Sequence, residues 1–246
     1  MSLTVDYEET DSSDPKKRAT RKARSDFYNS RHLVPAQEPP VGVEPLPAID
    51  HSINRLSAIP AGKSDAIVLG TVADSHAHMS SDRTGVYSEF EVRIDEVIKH
   101  DGRSLLVPTK LIAATREGGW VRYPSGRVQR FSILHQGLPK TGARYVLFLK
   151  RADETQGFHI LTGYEIRLGK IYPLDGEDIE EKQNNLPFAS FKGADVAGLM
   201  DKVRKAVAEA FNNPPVEGGA ATMNGCRGRR RVRMTPSSYS TATPTA

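Results

Sequence analysis

The fold is decided by the stretch Val86-Tyr87-Ser88-Glu89-Phe90-Glu91-Val92-Arg93-Ile94-Asp95-Glu96-Val97-Ile98. Apolar Phe90 and Val92 alternate with charged side chains, which is typical of a strand with one buried face. The alternation breaks at Asp95 and Glu96: either Glu96 points inward, which is costly without a partner, or a β-bulge shifts the phase. We therefore predict a β-bulge here, as expected of a long strand that bends around a small barrel.

Apolar runs on both sides of this stretch predict further strands. Residues 66–72 form a β-branched run, and residues 143–149 are apolar on both faces. Polar residues 74–85 are expected to form a loop. Pro124-Ser125-Gly126 supplies the turn of a hairpin that spans residues 118–131. The remaining predicted strands are residues 105–113, 158–162, 164–168 and 170–174.

Only residues 194–211 carry apolar side chains in a stripe at helical spacing, and prolines stop the pattern afterwards. We predict that this helix caps the open end of the barrel. The missing crossover helices exclude three-layer α/β folds. The predicted fold is mainly β: a small OB-like antiparallel barrel with one C-terminal α-helix and disordered termini.

Three strand segments, residues 64–72, 87–99 and 142–149, carry a resemblance to uncharacterised bacterial OB-like β-barrel proteins. More distantly, they are similar to the barrels of netrin-like and metalloprotease-inhibitor (TIMP-like) modules. Those inhibitors chelate the protease zinc through an N-terminal cysteine and are held by disulfides, whereas the sole cysteine here is Cys226. The resemblance therefore implies a fold and does not imply protease inhibition.

The composition divides the chain of 246 residues into three parts. Residues 1–62 are proline-rich and contain a basic run, residues 63–211 hold the predicted barrel and helix, and residues 212–246 are rich in Gly, Ala, Ser, Thr and Pro. The outer two segments bury too little apolar surface to offset the entropy of ordering them. We predict that both are disordered arms.

Positive charge is concentrated on the arms in two basic runs without acids, at residues 16–24 and 227–233. Such runs attract nucleic acid through phosphate neutralisation, or they simply keep a protein soluble. The acidic start and the lack of a long apolar stretch indicate neither a signal peptide nor a membrane span. A cytoplasmic protein is therefore the expectation, or an exported one if the start codon is misassigned.

Asp74-Ser75-His76-Ala77-His78 is the segment most suggestive of metal binding. It resembles the metal-binding opening of amidohydrolases and TatD-type nucleases, and His76 and His78 would point the same way on an extended chain. Those enzymes need a (β/α)₈ barrel and further ligands that this sequence does not offer. The alternatives are a metal-dependent hydrolase or, as we favour, a surface loop. No nucleophile elbow or phosphate-binding loop occurs, so we expect neither an enzyme nor a cofactor.

The predicted hairpin is the best candidate binding surface, because arginines interleave there with aromatic side chains. This composition suits protein interfaces, and it also suits base stacking with phosphate contacts. A third interpretation is an edge hairpin whose aromatic residues pack inward. We predict a non-enzymatic binding or structural module with a protein partner; the alternative is sequence-tolerant nucleic-acid binding. The candidate residues are Arg116, Trp120, Arg122, Tyr123, Arg127 and Arg130.

Overall fold

The computed structural model describes residues 3–8, 15–103, 105–153, 157–176, 179 and 186–212. It is mainly β, which confirms the predicted class. Two short 3₁₀ turns, Ile53–Arg55 and Pro187–Phe191, supplement the elements. The strands and helices are β1 (Thr4–Asp6), α1 (Pro15–Phe27), β2 (Ala66–Met79), β3 (Val86–His100), β4 (Leu111–Glu117), β5 (Gly119–Arg122), β6 (Val128–Phe131), β7 (Arg144–Ala152), β8 (Gly157–Arg167), β9 (Lys170–Pro173) and α2 (Val196–Asn212).

The larger sheet has six strands in the order β4-β3-β2-β7-β8-β9, and it closes on itself. Closure comes from β4, which pairs in parallel with β8 at Ala114↔Phe158 and Thr115↔His159. Five strands thus form a ring, and β9 is attached to β8 outside it. Every second residue of the ring strands points inward and joins one buried cluster, with members that include Val68, Val92, Leu147 and Ile160.

The long strand β3 contains the predicted bulge. Glu96 lies opposite Leu69 and Ile94 lies opposite Gly70, so Asp95 has no partner in the register with β2. The bulge turns both acids away from the interior, where they form ion pairs. Asp95 binds Arg144 at 2.8 Å and Glu96 binds Arg204 of α2 at 3.0 Å.

A second sheet of three strands, in the order β1-β5-β6, packs beside the ring. The predicted hairpin forms β5 and β6, and its turn has Gly126 at φ 86°. The first half of the predicted loop over residues 74–85 is strand instead, because β2 continues to Met79, whereas residues 80–85 form the turn before β3. Its apolar residues Ala77 and Met79 are buried under Val121 and Phe131 of the second sheet. A loop assignment from polar residues failed because every second residue packs inward.

Other strand boundaries also differ from the sequence prediction. Residues 105–110 are not strand, and β4 begins only at Leu111, since Pro108 cannot donate a ladder hydrogen bond. The predicted strands 158–162 and 164–168 form one continuous strand, β8. The turn near Gly169 is present, with positive φ at Leu168 and Gly169.

Helix α2 covers the outer side of the ring rather than its end. Its Leu199 and Val203 lie in one buried cluster with Ile67 and Phe148, whose side chains alternate with the inward-pointing ones. The prediction that this helix caps the open end of the barrel is therefore wrong. The outer faces of β2 and β7 are themselves apolar, so they need a cover, and α2 supplies it.

The N-terminal segment departs most from the prediction. The described part of residues 1–62 is ordered: β1 pairs in parallel with β5, and a second helix, α1, lies against the ring. Its buried apolar side chains are isolated from one another in sequence by prolines and charged residues, and each packs against an element later in the chain. They therefore form no periodic pattern from which order could be predicted. The buried anchors are Val5, Tyr28, Leu33, Val34, Ile53 and Ala61. The predicted tail lies outside the described residues beyond Asn212.

No helix in the described part of the chain is long and apolar enough to cross a membrane.

Candidate binding surface around Trp120

The second sheet presents one face to solvent, which we call the Trp120 face: Trp120, Arg122, Val128 and Arg130. Side chains alternate along β5 and β6, so Val121 and Phe131 are buried while these four point outward. Trp120 lies directly opposite Arg130, and the Arg130 guanidinium is 5.5 Å from the indole centroid. Arg122 pairs with Asp6 of β1 at 3.2 Å.

The other three predicted residues, Tyr123, Arg127 and Arg116, do not lie on this face. Tyr123 is buried and its ring stacks on Tyr7, with centroids 5.3 Å apart. Arg127 pairs with Glu38 at 2.6 Å and donates to the Pro39 carbonyl. Both contacts tie the hairpin turn to the N-terminal segment, so Tyr123 and Arg127 hold the surface in place. The third residue, Arg116, is inside the protein.

Arg116 is only 3% exposed and forms a buried ion pair with Asp175. The two guanidinium NH groups reach both carboxylate oxygens at 2.9 Å, and they also donate to the carbonyls of Gly137 and Leu161. Asp175 accepts two further bonds, from the Thr162 hydroxyl at 2.7 Å and the Gly137 amide at 3.0 Å. This network joins β4, β8 and the loop that follows β6.

A cleft of about 720 Å³, the Trp120 cleft, opens beside the Trp120 face. Trp120 and Arg130 form one side, and the loop between β6 and β7 forms another through Leu138 and Lys140. Residues 132–143 carry no periodic pattern, so the sequence did not predict the role of this loop. The only signals were Pro139 and the turn residues around it. Leu3, Ile133 and His135 also line the cleft.

Tyr145 and Glu165 are polar residues in the lining of the cleft. The Tyr145 hydroxyl donates to Glu165 at 3.3 Å, and burial raises the pKa of this phenol above its usual range. Two hydrogen bonds of 2.6 Å from Arg167 lower the pKa of Glu165, and they outweigh the opposing effect of burial. The carboxylate charge of Glu165 is therefore compensated from within the protein.

This carboxylate should link stability to pH on the acid side. Because the folded-state pKa is lowered, the stabilisation is fully present above the unfolded value of about 4.3 and is lost as the pH falls through the folded value. We expect Glu165→Gln to cost about 1–3 kcal/mol at pH 7 and to flatten the stability loss below about pH 5. Urea unfolding at pH 7, 5, 4 and 3 measures this. A variant whose acid limb keeps the parental slope would contradict it.

The two histidines of the predicted metal motif lie on β2 and share one side of the strand. Their ring centroids are 6.5 Å apart, and His76 Nε2 is 3.1 Å from the Asp74 carboxylate. His78 packs against Tyr87, with ring centroids 5.4 Å apart. Within the described ranges, no group of three or more His, Cys, Asp or Glu side chains is arranged to hold a metal ion.

No protein-family model matches the chain, and a search of curated proteins gives no match either.

Proposed function

We propose that this protein is a non-enzymatic binding module whose OB-like ring displays the Trp120 face to a protein partner. The observation that carries the proposal is the pairing of Trp120 with Arg130 on an exposed sheet face beside a cleft of about 720 Å³. Tryptophan and arginine contribute most of the binding energy in protein interfaces when they lie next to a pocket that can be desolvated.

The strand order of the ring supports an OB-like relationship, because five strands close with one parallel contact between β4 and β8. OB-folds bind oligonucleotides on the outer face of their second and third strands, which are β3 and β4 in this ring. Here that face carries residues of the protein's own N-terminal segment. Tyr28 stacks on Tyr87 with centroids 4.5 Å apart and donates to Thr115 at 2.9 Å. The usual nucleic-acid surface is thus occupied.

Charge pairing also favours a protein partner over nucleic acid. Affinity for nucleic acid depends on cations that neutralise phosphates. Several arginines near the sheets are already paired with carboxylates, which weakens their attraction for phosphate. These pairs are Arg24–Glu89, Arg122–Asp6, Arg127–Glu38, Arg144–Asp95 and Arg151–Asp101.

A displayed library of random peptides, selected on the immobilised full chain, tests the proposal. We expect selected peptides to lose about 2 kcal/mol of binding, or roughly thirtyfold in affinity, on Trp120→Ala. Phe211→Ala is the matched control, since Phe211 is an aromatic residue 87% exposed on α2 and outside the cleft lining. Thermal melts should show that both variants remain folded.

Fluorescence anisotropy with labelled single-stranded DNA and RNA provides the opposing measurement. We expect any binding to disappear as salt rises to physiological concentration and to be the same for Trp120→Ala. Binding that persists at this salt and is lost with Trp120 would contradict the proposal and favour a nucleic-acid module. A selection that yields no peptide dependent on Trp120 would also contradict it.

A further inference from the structure

We infer that the Trp120 cleft binds an acidic peptide segment that carries an aromatic or large aliphatic side chain. The inference rests on the proposed function and specifies the chemistry of the partner. It depends on three features of the cleft: its apolar wall, the balance of charge in its lining, and the orientation of Arg130.

The apolar wall comes from three different parts of the chain. Leu3 precedes β1, Ile133 follows β6, and Leu138 lies in the loop before β7. With the Trp120 indole they form the apolar part of an open cleft of about 720 Å³, a volume within the range of pockets that bind a compact ligand. A groove of this size accepts a few side chains of a peptide, and the apolar wall favours at least one aromatic or large aliphatic residue among them.

The charge in the lining is predominantly positive. Arg130, Lys140 and His135 are its basic residues, and Glu165 is the one acidic residue among the described residues that line it. Arg167 and Tyr145 bond to Glu165, and Lys140 Nζ lies 4.0 Å from the same carboxylate, so Glu165 offers little attraction to a cationic ligand. Arg130 and Lys140 together still outnumber this one acid. Complementary charge sets which partners an interface accepts and which it rejects. A peptide with carboxylates therefore fits this cleft better than a neutral or basic one.

Arg130 is oriented for such a peptide. Its guanidinium lies over the Trp120 ring at 5.5 Å, an arrangement that restricts the side chain without using its planar N–H donors. Arginine can stack on an aromatic ring and bind a carboxylate in bidentate fashion at the same time. A nucleobase would instead need the ring face that Arg130 covers. The same pair of residues thus favours a carboxylate and disfavours base stacking.

The peptides selected on the full chain test the inference through their composition and through charge reversal. We expect them to be enriched in Asp and Glu around an aromatic or large aliphatic residue. Lys140→Glu and Arg130→Glu should each weaken the binding of a selected, fluorescein-labelled peptide by about tenfold or more, because each places a like charge beside its carboxylates. Since Lys140 lies 4.0 Å from Glu165, thermal melts should show that Lys140→Glu remains folded, and Arg130→Glu must give the same loss of binding. Lys170→Glu is the matched control, because Lys170 is an exposed lysine on β9 outside the cleft lining; it should change affinity less than about twofold.

The outcomes separate this inference from the proposed function. Peptides that depend on Trp120 but carry no excess of acid, or that bind Lys140→Glu and Arg130→Glu as tightly as the parent, would overturn the acidic-partner inference and leave the protein-binding module standing. Peptides that are indifferent to Trp120→Ala would overturn both. Competition by unlabelled single-stranded DNA for the same site would overturn the acidic-peptide inference, because the cleft would then select polyanions in general.

Discussion

Removing either member of the buried Arg116–Asp175 pair should destabilise the protein by about 3–5 kcal/mol. Arg116→Met leaves the Asp175 carboxylate without its cation, and Asp175→Leu leaves a guanidinium that is 3% exposed without an anion. In either variant a charge remains buried and uncompensated, which costs far more than the loss of one contact. Guanidinium chloride unfolding followed by tryptophan fluorescence measures the change.

The double variant Arg116→Met/Asp175→Leu makes the prediction specific to charge. Replacing a whole buried ion pair by apolar side chains is often close to neutral, so we expect the double variant to be more stable than either single one. Arg122→Met is the control, because Arg122 pairs with Asp6 on the surface and should cost no more than about 1 kcal/mol. Single variants that cost less than the control, or a double variant that costs the sum of both, would contradict the prediction.

The second large effect is expected at Tyr28, in the segment that the sequence assigned to a disordered arm. Tyr28 is 3% exposed, stacks on Tyr87 and donates a hydrogen bond to Thr115. We expect Tyr28→Ala to cost about 3–5 kcal/mol, because it leaves a cavity on the outer face of β3 and β4. Tyr28→Phe keeps the ring and should cost about 1 kcal/mol, the typical contribution of one hydrogen bond. Urea midpoints of the three proteins give both values.

Leu46→Ala is the matched control for this experiment. Leu46 belongs to the same N-terminal segment but is 90% exposed, so its truncation should change stability by less than about 0.5 kcal/mol. If Tyr28→Ala were as mild as Leu46→Ala, the N-terminal segment would not contribute to the folded unit. The covered face of β3 and β4 would then be open to ligands, and the case against an oligonucleotide surface would be lost.

Alternation along strands made much of the fold predictable. It identified β3 and the bulge at Asp95, because one face of this strand is buried and the other is not. The hairpin of β5 and β6 was predictable from its turn residues Pro124-Ser125-Gly126. The same alternation made Trp120, Arg122 and Arg130 neighbours on one face, since residues two apart on a strand share a side.

The remaining features depend on contacts between residues far apart in sequence. Arg116 was assigned to the binding surface because it precedes the arginine- and aromatic-rich hairpin. Its buried position depends on Asp175, which lies 59 residues further along the chain. Lys140 and Leu138 reach the cleft through an irregular loop, so no period indicates their position. Tyr28 is a single buried aromatic residue in a segment rich in charge. The average composition of that segment therefore did not indicate that Tyr28 packs against the ring.

The parallel pairing of β1 with β5 has a consequence for how the chain folds during synthesis. Asp6 and its partner Arg122 are 116 residues apart, so β1 leaves the ribosome long before the strand that it pairs with exists. Tyr28 likewise cannot make its contacts with Tyr87 and Thr115 until β3 and β4 have been synthesised. Contacts of such large sequence separation slow folding, because their loop-closure entropy is paid before they form. During that interval the N-terminal segment is accessible to chaperones and proteases. It can pack in its final position only after the strands of the ring and β5 have been synthesised.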